Sequence, residues 1–378
     1  MNRAKLRARE ESSSVKKHWV RLTRACNNRC VFCLDKEPQD GSVLTLKQIR
    51  KSFSEGLKSG CRQVILSGGE ATIHPEFFKI VALAKKMGYK KIQVISNGRM
   101  FAYEKFLQTA VKAGVNEITF SLHGHNAALH DSQTGIKGSF NQAFAGLVNA
   151  LKRPDLIVNI DIVINKKNYK QLADIMKFFI ALGVHEFDLL QIIPFGRAWD
   201  NRQNIFYNVK RAMPALKKAF VLSKNKNLFI WTNRFPAQYL EGMEWLIQNP
   251  KKILDEVRGR RELFEEYFKT GKMLECWPER CDFCFLRDFC ADLRTFKIEG
   301  RLEGKSAPQC LKNREKEPVK ILEYGKGADI NDFADFYINR RYFVKSRRCS
   351  ACKMTKLCQG AHINIIRQNG FKILRPVK

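Results

Sequence analysis

Six short apolar runs alternate with helix-spaced runs through the first half of the chain, and nothing else in the sequence restricts its fold as tightly. The strand-like runs are WVRLTRA (19–25), QVILSGGE (63–70), KIQVISNG (91–98), EITFSLHG (117–124), LIVNIDIVIN (156–165) and EFDLLQIIPFG (186–196). Between them lie TLKQIRKSFSEGLKSG (45–60), HPEFFKIVALAKKMG (74–88), YEKFLQTAVKAG (103–114), SFNQAFAGLVNAL (139–151) and YKQLADIMKFFIALG (169–183), each with helical spacing. Strands alternating with helices predict βαβ units and a parallel sheet. Right-handed crossovers curl such a series into an α/β fold, an open sheet or a partial (βα)6 parallel barrel, followed here by a cysteine-rich domain. Chemistry then belongs at the C-terminal strand ends. A cysteine loop follows the first strand, and GGE, SNG, SLHG, Asn165 and PFG close the next five.

The rhythm stops near residue 200, in a chain of 378 residues. The reading divides it into a flexible basic tail (1–17), a core (18–200), a helical linker or substrate segment (201–270) and a cysteine-rich domain (271–378). The N-terminal stretch has no apolar signal region, and no run of apolar residues is long enough to span a membrane. A cytoplasmic chain with reduced thiols is expected, so its 12 cysteines read as metal ligands or redox groups. A formal net charge of +31 suits an RNA or an acidic peptide as partner, or simply a solvated basic surface.

Three cysteines, Cys26, Cys30 and Cys33, fall within CNNRCVFC. Three thiolates leave one position open on a four-iron cluster, through which a ligand could bind. A zinc site borrowing a distant fourth ligand is the alternative. With C-x3-C-x-aromatic-C after one strand and GGE after the next, residues 18–200 resemble the radical S-adenosylmethionine (SAM) superfamily, in a MoaA/NifB/PqqE-like branch. The resemblance implies that Cys26, Cys30 and Cys33 ligate a 4Fe–4S cluster and that SAM chelates its fourth iron. It implies that Phe32 leans on the adenine and that Gly68, Gly69 and Glu70 hold the methionine amino group. Glycine is expected in that motif because the backbone must approach the ligand closely. Ser96, Asn97, Ser121 and His123 would meet methionine carboxylate and ribose, with Asn165 and Pro194 near adenine. For His123 and Asn165 a capping or turn role is the plainer alternative. The first step implied is one-electron cleavage of SAM to a radical that takes a substrate hydrogen atom. The electron would come from a donor such as flavodoxin or ferredoxin.

The run SLHGHNAALHDSQTGIKGSF resembles that of superfamily members carrying a C-terminal SPASM domain, with His130, Asp131, Gly135, Gly138, Ser139 and Phe140 matching. It departs at His123, where Asp is commoner, and at Thr134, where Arg is. Eight further cysteines lie in the last third: Cys276, Cys281, Cys284, Cys290, Cys310, Cys349, Cys352 and Cys358. CDFCFLRDFC and CSACKMTKLC share the spacing C-x2-C-x5-C, which resembles SPASM ligation of two auxiliary 4Fe–4S clusters. Cys276 and Cys310 would complete two sets of four. His362 stands where the pattern continues with a cysteine; an imidazole can ligate a cluster, but Cys276 and Cys310 already complete the count, so His362 is read as no ligand. Structural zinc remains the alternative for these sites. Cys61 reads as an ordinary small buried residue. Tyr207, Tyr239 and Glu244 read as packing or surface groups.

Fully ligated auxiliary clusters would carry electrons, so oxidative modification of a peptide or protein is the leading functional expectation. RNA modification and a non-catalytic iron–sulfur electron carrier are the alternatives.

Overall fold

The computed structural model describes residues 16–35, 40–272, 274–306, 308–311, 320–325 and 327–377. Most of the segment read as a flexible tail, 1–15, lies outside the described residues, and its last residue, Lys17, already belongs to the first strand. The chain forms two compact units, Met1–Trp231 and Thr232–Lys378, which divide within the segment read as one linker.

The first unit is built on β1 (Lys17–Thr23), β2 (Gln63–Gly68), β3 (Lys91–Ser96), β4 (Glu117–Ser121), β5 (Ile157–Ile164) and β6 (Glu186–Gln191), adjacent in chain order. All five pairings are parallel. In-register Val20, Leu66, Val94, Ile118 and Val158 run across the first five strands. All but Val158 are at most 3% exposed, because crossover helices cover that face. A seventh strand, β7 (Phe229–Asn233), lies beside β6. It corrects the expectation that the strand series ends before residue 201. Its sequence FIWTN, aromatic and β-branched, is a short strand signature inside a basic, helix-rich stretch.

Helix α1 (Leu46–Lys58) opens with a capping box: the Thr45 side chain accepts from Gln48 N–H while Gln48 returns to the Thr45 backbone. One helix was not foreseen. Helix α2 (Ala127–Thr134) occupies the motif run after β4, capped by Asn126, which accepts from Leu129 N–H, and ended by Gly135 at φ 71°. It is short and weakly amphipathic, so periodicity does not reveal it.

The second unit carries helices α3 (Lys252–Gly259), α4 (Arg261–Thr270), α5 (Arg287–Glu299), α6 (Ile330–Phe336) and α7 (Ile363–Asn369). Two antiparallel ribbons, β8–β9 (Arg301–Glu303, Ile321–Glu323) and β10–β11 (Phe343–Val344, Ala361–His362), complete it. Its core is aromatic: Phe289 meets Phe333 and Tyr337 with ring centroids 5.1 and 5.2 Å apart. Cys290 is buried within this core, and Cys276 and Cys284 pack against it. Among the described residues no helix is long and apolar enough to cross a membrane.

Candidate functional site

The loop carrying Cys26, Cys30 and Cys33 is held from four sides within the first unit. From β2, Gly69 N–H donates to Thr23 O at 2.7 Å and Glu70 N–H to Ala25 O at 2.8 Å. From α2, Thr134 and Gln133 carbonyls accept from Arg29 and Val31 N–H, both at 2.8 Å. From β3, the Asn97 amide donates to Asn27 Oδ1 at 2.6 Å, and Arg99 reaches the Asn27 carbonyl and Asn28 Oδ1. After β6, the Asn201 side chain donates to Val31 O at 3.1 Å. Strand ends β2, β3, β4 and β6 thus converge on the loop that follows β1, as the sequence pattern predicts.

The glycines of GGE are required, for a reason the sequence alone does not give. A Cβ on Gly69 would stand 2.2 Å from Ala25 O, and one on Gly68 2.3 Å from Thr23 O. The close approach these glycines permit is to the cysteine loop's own backbone. Gly69→Ala is therefore expected to destabilise the protein by about 1–3 kcal/mol, because the clash is with backbone that cannot rotate away. Gly259→Ala, where nothing stands within 4 Å, is expected to stay within about 1 kcal/mol of the parent. Thermal unfolding of both variants checks the pair.

Glu70 is 2% exposed, and its carboxylate is held by chain donors. Oε1 accepts from Thr72 N–H at 3.1 Å, Thr72 Oγ1 at 2.5 Å and Ser96 Oγ at 2.8 Å; Oε2 accepts from Asn97 N–H at 2.7 Å. Burial nonetheless raises its pKa above the usual carboxylate range, making it a weaker acid, opposed by those hydrogen bonds. Three donors on Oε1 against one on Oε2 leave Oε2 the capacity for another.

The Phe32 ring meets the His123 edge at 4.5 Å, so both stand at the cysteine loop. His123 Nδ1 accepts from Val163 N–H at 3.2 Å, tying the end of β4 to β5. Burial, and then the charge of stacked His130, holds His123 well below the ordinary histidine range, so its ring is neutral. The Asn165 amide is taken up locally: Nδ2 donates to Gln133 Oε1 at 2.7 Å and Val163 O at 3.0 Å, and Oδ1 accepts from Lys167 N–H. That is the turn role weighed against a ligand contact. Ser121 ends β4 half-buried, and Pro194 is buried after β6.

Asp131 organises the rest of the motif: its carboxylate accepts from Gly138 N–H, Ser139 Oγ and Phe140 N–H at 2.6–2.8 Å. Asn27, Asn28, Arg99, Gln133 and Asn201 were not foreseen. Each acts through a tertiary contact that no local spacing marks.

The thiols form a compatible donor set. Burial pushes Cys26 up to about 11 and raises Cys30 further, with Cys26 and Cys33 charges adding to the Cys30 shift. Burial also raises Cys33. Gathered in so poorly solvated a place, three thiolates need positive charge to form, and an iron cluster supplies it. Asn28 N–H lies 3.4 Å from Cys26 Sγ, a donor of the kind that tunes cluster sulfurs.

In the second unit the cysteines sort into two neighbourhoods. Burial raises Cys281, Cys284 and Cys290; after it, Cys276 acts on Cys281, Cys276 and Cys281 act on Cys284, and all three act on Cys290. Burial raises Cys349, on which Cys358, Cys310 and Cys352 also act. Backbone N–H groups of Gly360 and Val377 each lie 3.3 Å from Cys358 and Cys352 Sγ. Among the described residues no three His, Cys, Asp or Glu side chains are gathered around a single-ion site.

His362 is engaged as a helix cap: Nδ1 accepts from Asn364 N–H at 3.3 Å and Nε2 meets Ile338 O at 2.9 Å. Both ring nitrogens are thus occupied, against the ligand role considered for it. Cys61 is buried at 6% exposure. Tyr207 stacks on Tyr169 and donates to Gln191 Oε1 at 2.5 Å, and Glu244 accepts from Phe371 N–H at 3.0 Å.

Residues 20–179 match the model of the Radical SAM superfamily. A probable GTP 3′,8-cyclase of Sulfurisphaera tokodaii is 30% identical over 178 residues, 47% of this chain and 56% of that protein. One of Saccharolobus solfataricus is 28% identical over the same share of this chain and 57% of its own length. The chain thus spans little more than half the length of these curated relatives. Streptococcus suis SuiB bound to S-adenosylmethionine aligns with TM-score 0.49 at 13% identity, over 98% of this chain and 80% of that one. Methylornithine synthase (PylB) aligns with TM-score 0.45 at 17% identity, over 62% and 76%.

Proposed function

We propose that this chain is a radical SAM enzyme whose net reaction is the oxidation of a carbon centre in a peptide or protein. What supports the oxidative part is eight C-terminal cysteines, two C-x2-C-x5-C runs plus Cys276 and Cys310, enough for two sets of four. Four cysteines satisfy a four-iron cluster and leave no site for substrate, so such clusters would carry electrons. An enzyme that accepts an electron from its substrate radical performs a net oxidation.

When bound, the core cluster and SAM supply a 5′-deoxyadenosyl radical. The chain's own residues hold and orient. Cys26, Cys30 and Cys33 would hold the cluster on a loop fixed by backbone hydrogen bonds. Oε2 of Glu70 offers an acceptor for an ammonium group, and Ser96 and Asn97 fix that carboxylate. Phe32, backed by neutral His123, offers an aromatic face to an adenine and keeps charge away from it. Reducing equivalents would come from a flavodoxin- or ferredoxin-type donor.

Anaerobic reconstitution with iron, sulfide and zinc counted per chain tests this reading. About twelve irons with matching sulfide, together with reductive cleavage of SAM, is the expected result. About four irons plus about two zincs would sink the oxidative reading and leave the C-terminus a structural clasp. Absence of SAM cleavage under strong reductant would reduce the chain to an electron carrier. GTP belongs in the same assay, because the curated relatives are named for it, and its turnover would redirect the substrate assignment. The net charge of +31 favours RNA as the second reading. Steeply salt-dependent RNA binding would bring that reading forward.

A further inference from the structure

Arg197 is unexplained by anything above. It follows Gly196, whose missing side chain lets this backbone close on the cysteine loop: a Cβ there would stand 2.6 Å from both Cys33 O and Leu34 O. Asn201 locks the same turn down, donating to Val31 O at 3.1 Å and Arg197 O at 2.8 Å. The guanidinium Nη1 is buried with no hydrogen-bond partner among the described residues. Its charge reaches Cys26, Cys30 and Cys33 alike. A buried guanidinium donor without an acceptor is costly, and it persists where something else supplies the acceptor.

We propose that Arg197, held against the cysteine loop from the β6 side, is a resident counter-charge of the three-cysteine centre. This rests on the reading of that centre as a four-iron cluster. Three thiolates make such a cluster anionic, and one-electron reduction makes it more so. A fixed guanidinium beside it favours the reduced form. Arg197 is in this sense a positioning and tuning residue.

The test is an EPR-monitored redox titration of reconstituted protein without SAM. The core signal is recognised as the one that changes when SAM is then added, since only that cluster has an open iron. Arg197→Gln is expected to lower the reduced-to-oxidised ratio of the core cluster at fixed potential by about tenfold, which for a one-electron couple is 59 mV. Arg197→Lys, which keeps the charge, should recover most of that ratio. Arg202→Gln, removing a nearby cation that stacks on Trp199, should leave it unchanged. Iron per chain confirms that each variant is loaded. An unchanged core potential in Arg197→Gln overturns the proposal. So does an unchanged potential with weakened SAM binding, because the guanidinium would then serve the cosubstrate. Parent protein that takes up no four-iron cluster overturns the functional reading, and this proposal with it.

Discussion

Cys30→Ala is expected to leave a folded chain that retains about eight of about twelve irons and cleaves no SAM. The structure separates the loop's shape from its chemistry. Backbone bonds from Gly69, Glu70, Arg29 and Val31 hold the loop, and none of them uses a cysteine side chain. Removing one thiol therefore leaves those bonds in place, whereas it leaves only two protein ligands for a cluster. Altering an outer partner of a metal ligand typically costs about 10- to 100-fold in affinity or activity, and loss of a ligand should exceed that. The expected fall in 5′-deoxyadenosine formation is thus more than about a hundredfold, with far-ultraviolet circular dichroism unchanged. Full iron content and undiminished SAM cleavage in this variant would remove the three-cysteine loop from the catalytic centre.

Much of this site was legible because its parts sit at the ends of regular elements. The period-two and period-3.6 runs locate β1 to β6, and each run's final residues mark the C-terminal edge where Glu70, Ser96, Asn97 and His123 stand. Glu70 and Asn97 are hydrogen-bonded neighbours of the cysteine loop, while the Asn165 amide is taken up by partners of its own turn and by Gln133. What sequence could not show was anything depending on tertiary approach. Gly68 and Gly69 looked like ligand-facing glycines, but the space they save is taken by Thr23 and Ala25. Asn201 touches Val31, 170 positions earlier in the chain, and no periodicity encodes that. Helix α2 and strand β7 were missed for a simpler reason. Elements of eight and five residues give too few turns or alternations to rise above local composition. Spacing gave two cysteine triplets in the last third but was silent on which lone cysteine joins which.

That last ambiguity leads to the second large expected effect. The proposed reading takes Cys276, Cys281, Cys284 and Cys290 as one set and Cys310, Cys349, Cys352 and Cys358 as another. The first set is contiguous, with Cys276 packed against the same aromatic core as Cys284 and Cys290. The second draws Cys310 across the sequence to the Cys349 neighbourhood. Paired substitutions separate this arrangement from one in which Cys276 and Cys310 exchange sets. If two cysteines serve one cluster, removing both costs no more iron than removing either; if they serve different clusters, the losses add. Cys310→Ala with Cys349→Ala is therefore expected to lose about four irons, and Cys310→Ala with Cys281→Ala about eight. The exchanged arrangement predicts the opposite pair of numbers. Because Cys290 is buried in the core, its loss would confuse cluster assembly with packing, so Cys281 and Cys349 are the better probes. Losses of about one zinc per site instead of about four irons would show that the same two sets hold a different metal.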